Sequence, residues 1–350
     1  MRIPIKNTDA AILVEQNKDL IVDKVKLPDE LKIGQILVEI HVSGICGSQL
    51  GEISGVKGKD KFLPHLLGHE GCATVLTVGP GVKTVSKGDL VVLHWRKGEG
   101  IQSETPVYTW KGKKVNAGWL TTFNKYAIIS ENRCTSIPKN TDKDLAALFG
   151  CAITTGFGVI ENNAKLMIGE SIVVYGAGGI GLNIIQAATL SSGWPIIAVD
   201  LFDSRLNLAK SFGATHLINA KKSDTRNQII KILGKRNLDV FIDNTGIPEI
   251  IEMGYEIMGP KGRMILVGVP RINSNIKIYS LPLHFGKSII GSHGGESKPH
   301  DAIPRYLNLY NNDIWGIEGL VSERYKLKDI NSAILSMKSG NRAGRIIIDL

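Results

Sequence analysis

The sequence predicts a two-domain α/β protein, a β-rich domain joined to a doubly wound parallel sheet. Three observations predict it. The chain has 350 residues, more than one hydrophobic core comfortably supports. Up to about residue 150, short β-favouring runs (AILVE, QILVEIHV, ATVLTV, DLVVLHW, KYAIIS) recur between Gly, Pro and Asp, with little helical periodicity. From about residue 151, apolar runs alternate with helix-length segments.

The β-rich part reads as a small antiparallel barrel or sandwich. In the second part the strand candidates are 171–176, 195–200, 215–220, 239–244, 263–269 and 288–293. Helix candidates lie near 178–192, 204–212, 225–234 and 248–258. Ile180, Ile184, Ile185 and Ala188 share one face of the first helix. Six strands in this alternation fit the dinucleotide-binding fold. After about residue 293 the alternation stops, and one further helix is expected near 299–311.

Composition narrows the function classes. Apolar residues make up 43% and charged residues 21%, which excludes a disordered chain, a coiled coil and a collagen repeat. No run of eighteen uncharged apolar residues is present, so no membrane association is expected. The first twenty residues lack the pattern of a signal peptide. With only Cys46, Cys72, Cys134 and Cys151, a reducing, cytoplasmic setting is expected. The net charge of +9 is modest for this length. Basic residues cluster at Lys57, Lys59 and Lys61 and at Lys111, Lys113 and Lys114. No zinc finger or RNA-binding signature accompanies them, so no nucleic-acid partner is expected.

Gly176-Ala177-Gly178-Gly179-Ile180-Gly181 fits G-x-G-x-x-G, after a buried-strand pattern and at the start of a helix. Gly176 permits the tight turn, Gly178 lets the backbone approach a pyrophosphate, and Gly181 allows close helix–strand packing. The helix N-terminus supplies N–H groups to phosphates. Asp200 ends the next strand, where a carboxylate accepts from ribose hydroxyls and repels a 2′-phosphate. Arg205 lies just beyond it, but the acidic residue favours NAD over NADP. The competing use of Asp200 is to cap the following helix.

Three glycine-rich segments each place one soft or borderline metal ligand: Gly44-Ile45-Cys46-Gly47-Ser48, Gly68-His69-Glu70-Gly71 and Gly150-Cys151-Ala152-Ile153-Thr154-Thr155-Gly156. Taken singly, each has an ordinary reading as a buried thiol or a loop histidine. Together with the glycine fingerprint they resemble the zinc-dependent medium-chain alcohol dehydrogenase family, over nearly the whole chain. The resemblance implies a GroES-like catalytic domain over 1–152 and 293–350 and a Rossmann NAD-binding domain over 153–292. It implies Cys46, His69 and Cys151 as ligands of one catalytic zinc, the Cys₂His set known for alcohol dehydrogenases. It places Glu70 behind the ligands or as a transient fourth ligand, and Ser48 at the substrate hydroxyl. Thr155 would face the nicotinamide, Trp95 would line the pocket, and Arg345 would meet the cofactor pyrophosphate. The implied partners are a small alcohol or carbonyl substrate and further copies of the chain, as a dimer or tetramer.

Two departures from the family pattern are informative. The family's Cys-Gly-Ser/Thr-Asp-x-His here reads Cys46-Gly47-Ser48-Gln49-Leu50-Gly51. Neutral Gln49 could orient the zinc-ligand histidine but would raise its basicity less than a carboxylate. Gly51 cannot carry a proton. His65, His94 and His293 are expected to be structural. The span 94–119 has no Cys, where many members hold a structural zinc with four, so no structural zinc is expected. Its Trp110, Trp119 and lysines suit either a repacked loop or a substrate-facing surface. Two alternatives stay open: a zinc-free quinone or enoyl reductase on the same scaffold, and a non-catalytic NAD-binding protein.

Overall fold

A computed structural model describes every residue except Lys57 and Asn341, so the first lysine of the 57–61 cluster lies outside the described residues. The chain divides into two units. The first comprises Met1–Cys151, Lys298–Gly340 and Arg345–Leu350; the second comprises Ala152–Ser297 and a short stretch ending at Gly344.

The first unit has a closed five-stranded barrel and a separate seven-stranded sheet. The barrel runs in the order Asn7–Leu13, Ile21–Lys26, Val107–Trp110, Lys113–Asn116 and His65–Leu66, which pairs back to Asn7–Leu13. The cysteine-free span 94–119 supplies two of these strands. They meet at a two-residue turn, Lys111-Gly112, with φ of 48° and 75°. Two positive φ angles suit the right-handed twist of a hairpin. Tyr108 and Val115 from this hairpin are fully buried, and the Tyr108 hydroxyl accepts from the Ile128 N–H at 2.8 Å. Trp110 donates to Asp23 at 2.8 Å and Trp119 to the Ser103 carbonyl at 3.0 Å. Tyr108, Trp110 and the lysines of the hairpin therefore belong to the barrel wall.

The seven-stranded sheet is built on Gln35–Gly44. One edge pairs with Glu70–Val78, which pairs in turn with Leu90–His94 and then Cys134–Ile137. The other edge is shared. Tyr126–Ser130 takes Gln35–Glu39, and the last strand, Arg345–Asp349, takes Val42–Gly44. The chain after residue 298 thus returns to complete this sheet, with helix Pro299–Asn311 and strand Val321–Lys326 on the way.

The second unit is a six-stranded, wholly parallel sheet in the order His216–Asn219, Ile196–Asp200, Ile172–Tyr175, Leu238–Asp243, Met258–Leu266 and Ser288–Gly291. Numbered along the chain this is 3-2-1-4-5-6, the doubly wound Rossmann order. Helices Gly179–Leu190, Asp203–Ser211, Thr225–Leu233 and Pro248–Ile257 connect the strands, close to the expected spans. Two details differ from the sequence reading. The fifth strand begins at Met258, because a register shift between Leu238 and Val240 lets it run through Gly-Pro-Lys-Gly, which reads as a break. The first helix is buried at every residue from Gly181 to Ala188, with Ile180 only half-buried. Its polar residues are enclosed too, because helix Ala152–Gly158 packs closely on it: a Cβ on Gly156 would stand 2.5 Å from Asn183 Cβ. Among the described residues no single helix is long and apolar enough to cross a membrane.

His94 supplies a test of the first unit's stability. Its Nδ1 donates to the Arg96 carbonyl at 2.8 Å and its Nε2 accepts from Thr135 Oγ1 at 2.9 Å. Burial pushes its pKa down from 6.5 to about 4. The folded ring stays neutral while an unfolded one protonates below its ordinary value, so stability is full above pH 6.5 and falls towards pH 4. The group should cost about 3 kcal/mol across that window. Urea unfolding at pH 7, 5.5 and 4.5 should show the loss, and His94→Gln should flatten it.

Candidate metal centre

Two strand ends and one helix end bring the ligand set together. Strand Gln35–Gly44 runs out into Cys46, His69 immediately precedes strand Glu70–Val78, and Cys151 follows helix Lys143–Phe149. Gly71 pairs with Ser43 across the first two strands, which fixes His69 close to the Cys46 loop. The Cys46 and Cys151 sulfurs stand 3.9 Å apart. Donor atoms of Cys46, His69 and Cys151 all lie within 4.8 Å of one another.

This geometry fits zinc on two counts. Two sulfurs each 2.3 Å from a tetrahedral zinc stand about 3.8 Å apart, against the 3.9 Å observed. The Nε2 of His69 is buried and has no hydrogen-bond partner, as a nitrogen kept for a metal must be. Without a metal the two thiols give up their protons in separate steps. Donation from the Cys151 S–H holds the Cys46 pKa well below that of an ordinary thiol, against the effect of burial. The Cys46 sulfur and burial together push Cys151 up. Burial works to lower the His69 pKa, but the neighbouring Cys46 sulfur and Glu70 raise it.

Glu70 and Arg345 form a fully enclosed ion pair behind the ligands. Burial alone would lower the Arg345 pKa; Glu70, with the Cys46 and Cys151 sulfurs, raises it above the ordinary value. Two glycines make room for Glu70, Gly44 for its carboxylate and Gly150 for its backbone and for the Leu93 carbonyl. A Cβ on Gly44 would stand 2.6 Å from Glu70 Oε1, and one on Gly150 2.7 Å from Glu70 Cα. The glycines beside the ligand cysteines are therefore packing requirements of Glu70. Sequence reading missed this role of Arg345; only its Nη2 is committed to Glu70, and its Nε has no partner.

Gln49 corrects a second expectation. It does not hold the His69 ring. Its Oε1 accepts from the Cys46 N–H at 2.8 Å, and its buried Nε2 has no partner. It fixes the backbone of one ligand instead of the ring of another. Ser48 is exposed on helix Gly47–Ile53. Trp95 meets His69 edge-on, with ring centroids 6.5 Å apart, and Arg96 lies over the Trp95 ring at 5.8 Å.

In the second unit the glycine fingerprint has the expected conformation. Gly176 has φ of 95°. A Cβ on Gly181 would collide with the Gly176 carbonyl oxygen, whereas one on Gly178 would meet nothing within 4 Å. The space in front of Gly178 is an open cradle. Helix Gly179–Leu190 starts there with no side-chain cap, so the first-turn N–H groups of Gly179, Ile180 and Gly181 are left for an anion. Asp200 does not cap the next helix, which starts at Asp203 after an uncapped Phe202. Its Oδ2 accepts from the Ala177 N–H at 2.8 Å, and its Oδ1 from Leu201 and Phe202 at 2.7 and 3.1 Å. Arg205 Nη1 lies 3.5 Å from Asp200 Oδ2. Thr155 is buried in helix Ala152–Gly158, its carbonyl packed against Gly295.

Comparison with known proteins agrees with this geometry. Residues 32–139 match the family model of the alcohol dehydrogenase GroES-like domain, and residues 179–312 that of zinc-binding dehydrogenases. The chain belongs to the zinc-dependent medium-chain alcohol dehydrogenase family. S-(hydroxymethyl)glutathione dehydrogenase of Paracoccus denitrificans is 28% identical, covering 97% of this chain and 99% of the relative. Rabbit (Oryctolagus cuniculus) alcohol dehydrogenase class-2 isozyme 2 is 27% identical, covering 97% of each. An alcohol dehydrogenase zinc-binding domain protein from Burkholderia ambifaria superposes with a TM-score of 0.90 at 28% identity, covering 99% of each chain. Benzyl alcohol dehydrogenase of Acinetobacter calcoaceticus superposes with 0.88 at 28% identity, covering 99% of this chain and 100% of that one. The family and fold expected from Cys46, His69, Cys151 and the fingerprint are borne out.

The ion pair gives the test of the centre's packing. Glu70→Gln leaves a buried guanidinium without its counter-charge, and should cost about 3–5 kcal/mol. The thermal midpoint should fall accordingly, and Glu70→Gln combined with Arg345→Met should recover most of the loss.

Proposed function

We propose that this protein is an NAD-linked dehydrogenase that interconverts an alcohol and its aldehyde or ketone at one catalytic zinc. The observation that carries the reading is the convergence of two thiols and an unpartnered, buried imidazole nitrogen in the first unit. That donor set speaks against the zinc-free reductase. Cys46, His69 and Cys151 would hold the metal, and the first unit is the catalytic domain. The second unit is the cofactor domain. Bound zinc supplies Lewis-acid polarisation of the substrate oxygen, and bound NAD supplies the hydride acceptor.

The protein's own groups do the rest. Ser48 Oγ accepts the substrate's hydroxyl proton and, being exposed, passes it to solvent without a histidine at position 51. Trp95 limits the pocket beside His69. Glu70 stays paired with Arg345 and sets the field behind the ligands. Gly178, Gly179, Ile180 and Gly181 would receive the pyrophosphate, Thr155 would flank the nicotinamide, and Asp200 with Arg205 would meet the adenosine ribose. No four-cysteine zinc is expected, since the barrel hairpin occupies that stretch of chain. Self-association is expected through the free edge of strand Ser288–Gly291, where Ile290, Val269, Ile272 and Phe285 are exposed. Because several similar relatives are S-(hydroxymethyl)glutathione dehydrogenases, hydroxymethyl thiol adducts belong with simple alcohols in the first substrate screen.

Two experiments test the reading. Cys46→Ser and Cys151→Ser should each lose the catalytic zinc and turnover while NADH binding, followed by fluorescence, is unchanged; retained turnover in both would overturn the ligand assignment. Asp200→Gly should weaken NADH binding and narrow the preference over NADPH, because it frees Arg205 and also strips the Ala177 N–H of its acceptor. A wild type that already prefers NADPH would overturn the role of Asp200.

A further inference from the structure

The loop that joins Cys46 to His69 carries a second cluster of donors, which the centre described above does not use. Helix Gly47–Ile53 presents Glu52. The chain then turns back through Asp60 to His65, the first residue of strand His65–Leu66. One donor atom each from Glu52, Asp60 and His65 lies within 4.8 Å of the others. His65 Nε2 is 2.8 Å from Asp60 Oδ2 and 3.8 Å from Glu52 Oε1.

The hydrogen bonds around the cluster fix what those atoms can be. His65 Nδ1 lies 2.9 Å from the Leu66 carbonyl oxygen. A carbonyl only accepts, so Nδ1 carries its proton and donates. In the neutral ring Nε2 is then a lone pair that faces two carboxylates. In that tautomer three acceptors share one space, and a cation placed there would engage all three.

A proton on Nε2 would serve Asp60 but not Glu52, since 3.8 Å is beyond hydrogen-bond range. A metal ion serves both. Donors 2.0–2.2 Å from a tetrahedral ion stand about 3.4 Å apart, and the observed 2.8 and 3.8 Å bracket that separation. The site is also built before any ion arrives. His65 is 6% exposed. Asp60 Oδ1 is held by the Phe62 N–H at 2.7 Å, and the Asp60 N–H by Gln16 Oε1 at 3.1 Å, so Oδ2 alone is turned to the cluster. Gln16 Nε2 donates to the Gly58 carbonyl at 3.0 Å and pins the same turn. Glu52 is half-exposed and opens the remaining coordination positions to water. Lys59 and Lys61 flank Asp60 on the exposed side and form no ion pair with it.

We propose that Glu52, Asp60 and His65 form a second metal site, which takes one divalent transition ion such as zinc through an imidazole nitrogen and two carboxylate oxygens. The mixed nitrogen and oxygen set suits zinc better than magnesium or calcium, which prefer oxygen alone. The ion would clip the end of helix Gly47–Ile53 to the start of strand His65–Leu66, and so brace the segment between two ligands of the catalytic centre.

The test is zinc per chain by elemental mass spectrometry, on full-length protein dialysed against micromolar zinc and then against metal-free buffer. Wild type should hold about two ions per chain. Cys46→Ser and His65→Gln should each hold one fewer than wild type, and the double variant two fewer. Where His65→Gln does not fold, Glu52→Gln, an exposed position, is read in its place. In a cobalt-loaded protein, His65→Gln should leave the near-ultraviolet thiolate band of the cysteine centre intact. A wild type with one ion, lost in Cys46→Ser, overturns the proposal. So does a zinc content unchanged from wild type in the His65→Gln or Glu52→Gln variant.

Discussion

Behind the metal-binding sulfurs, a carboxylate and a guanidinium face each other out of reach of water. The Glu70–Arg345 pair joins strands that the chain visits at opposite ends, 275 positions apart. Such a pair costs a great deal to desolvate and holds only when each charge has its partner. Much of the first unit's design follows from it. The last strand must return to Gln35–Gly44 to deliver Arg345, and it can do so only because Tyr126–Ser130 leaves the second half of that edge free. Gly44 and Gly150 must lack side chains, since both backbones press on Glu70. The positive charge also lies near two thiols that have to become thiolates. Arg345 favours the charged form of both, and so prepares the sulfurs for a cation.

The same economy operates around the fingerprint loop. Asp200 is read from sequence as a ribose acceptor, but its carboxylate already accepts three backbone N–H groups in the absence of any ligand. One of them, Ala177, lies inside the glycine loop. The residue expected at the ribose is therefore also a brace for the glycine loop. Carboxylate oxygens have about four lone-pair sites between them, so the two uses are compatible. They are not separable by substitution.

What was legible in the sequence was whatever is local. The inner strands Ile172–Tyr175, Ile196–Asp200 and Leu238–Asp243 were visible as apolar runs, because burial on both faces leaves a continuous hydrophobic signature. The fingerprint was legible because its demands are local: a positive φ at Gly176, and no room for a Cβ at Gly181. Cys46, His69 and Cys151 could be grouped only through the family resemblance, since spacing alone does not bring positions 46 and 151 together. The rest was hidden for physical reasons. Arg345 and Glu70 meet only after the last strand docks. Gln49 faces Cys46 because the helix Gly47–Ile53 begins there, a matter of one turn's geometry. The hairpin at Lys111-Gly112 lacks the Asn-Gly that usually marks such a turn, so a span that closes the barrel read as an undefined lobe.

Gln49 shows how a departure from a family pattern is absorbed. A carboxylate at this position would orient the ligand imidazole and raise its basicity. The amide instead secures the Cys46 backbone and leaves the ring to be placed by its surroundings: Trp95 against its edge, and the register of Gly71 on Ser43 behind it. Position has been kept while charge has been lost. The centre therefore carries one negative charge fewer near the metal, and Arg345 and the two thiolates weigh more in its electrostatics. Gly51 takes a proton-carrying side chain away from the same helix, and leaves the exposed Ser48 hydroxyl one turn earlier as the group nearest to that role.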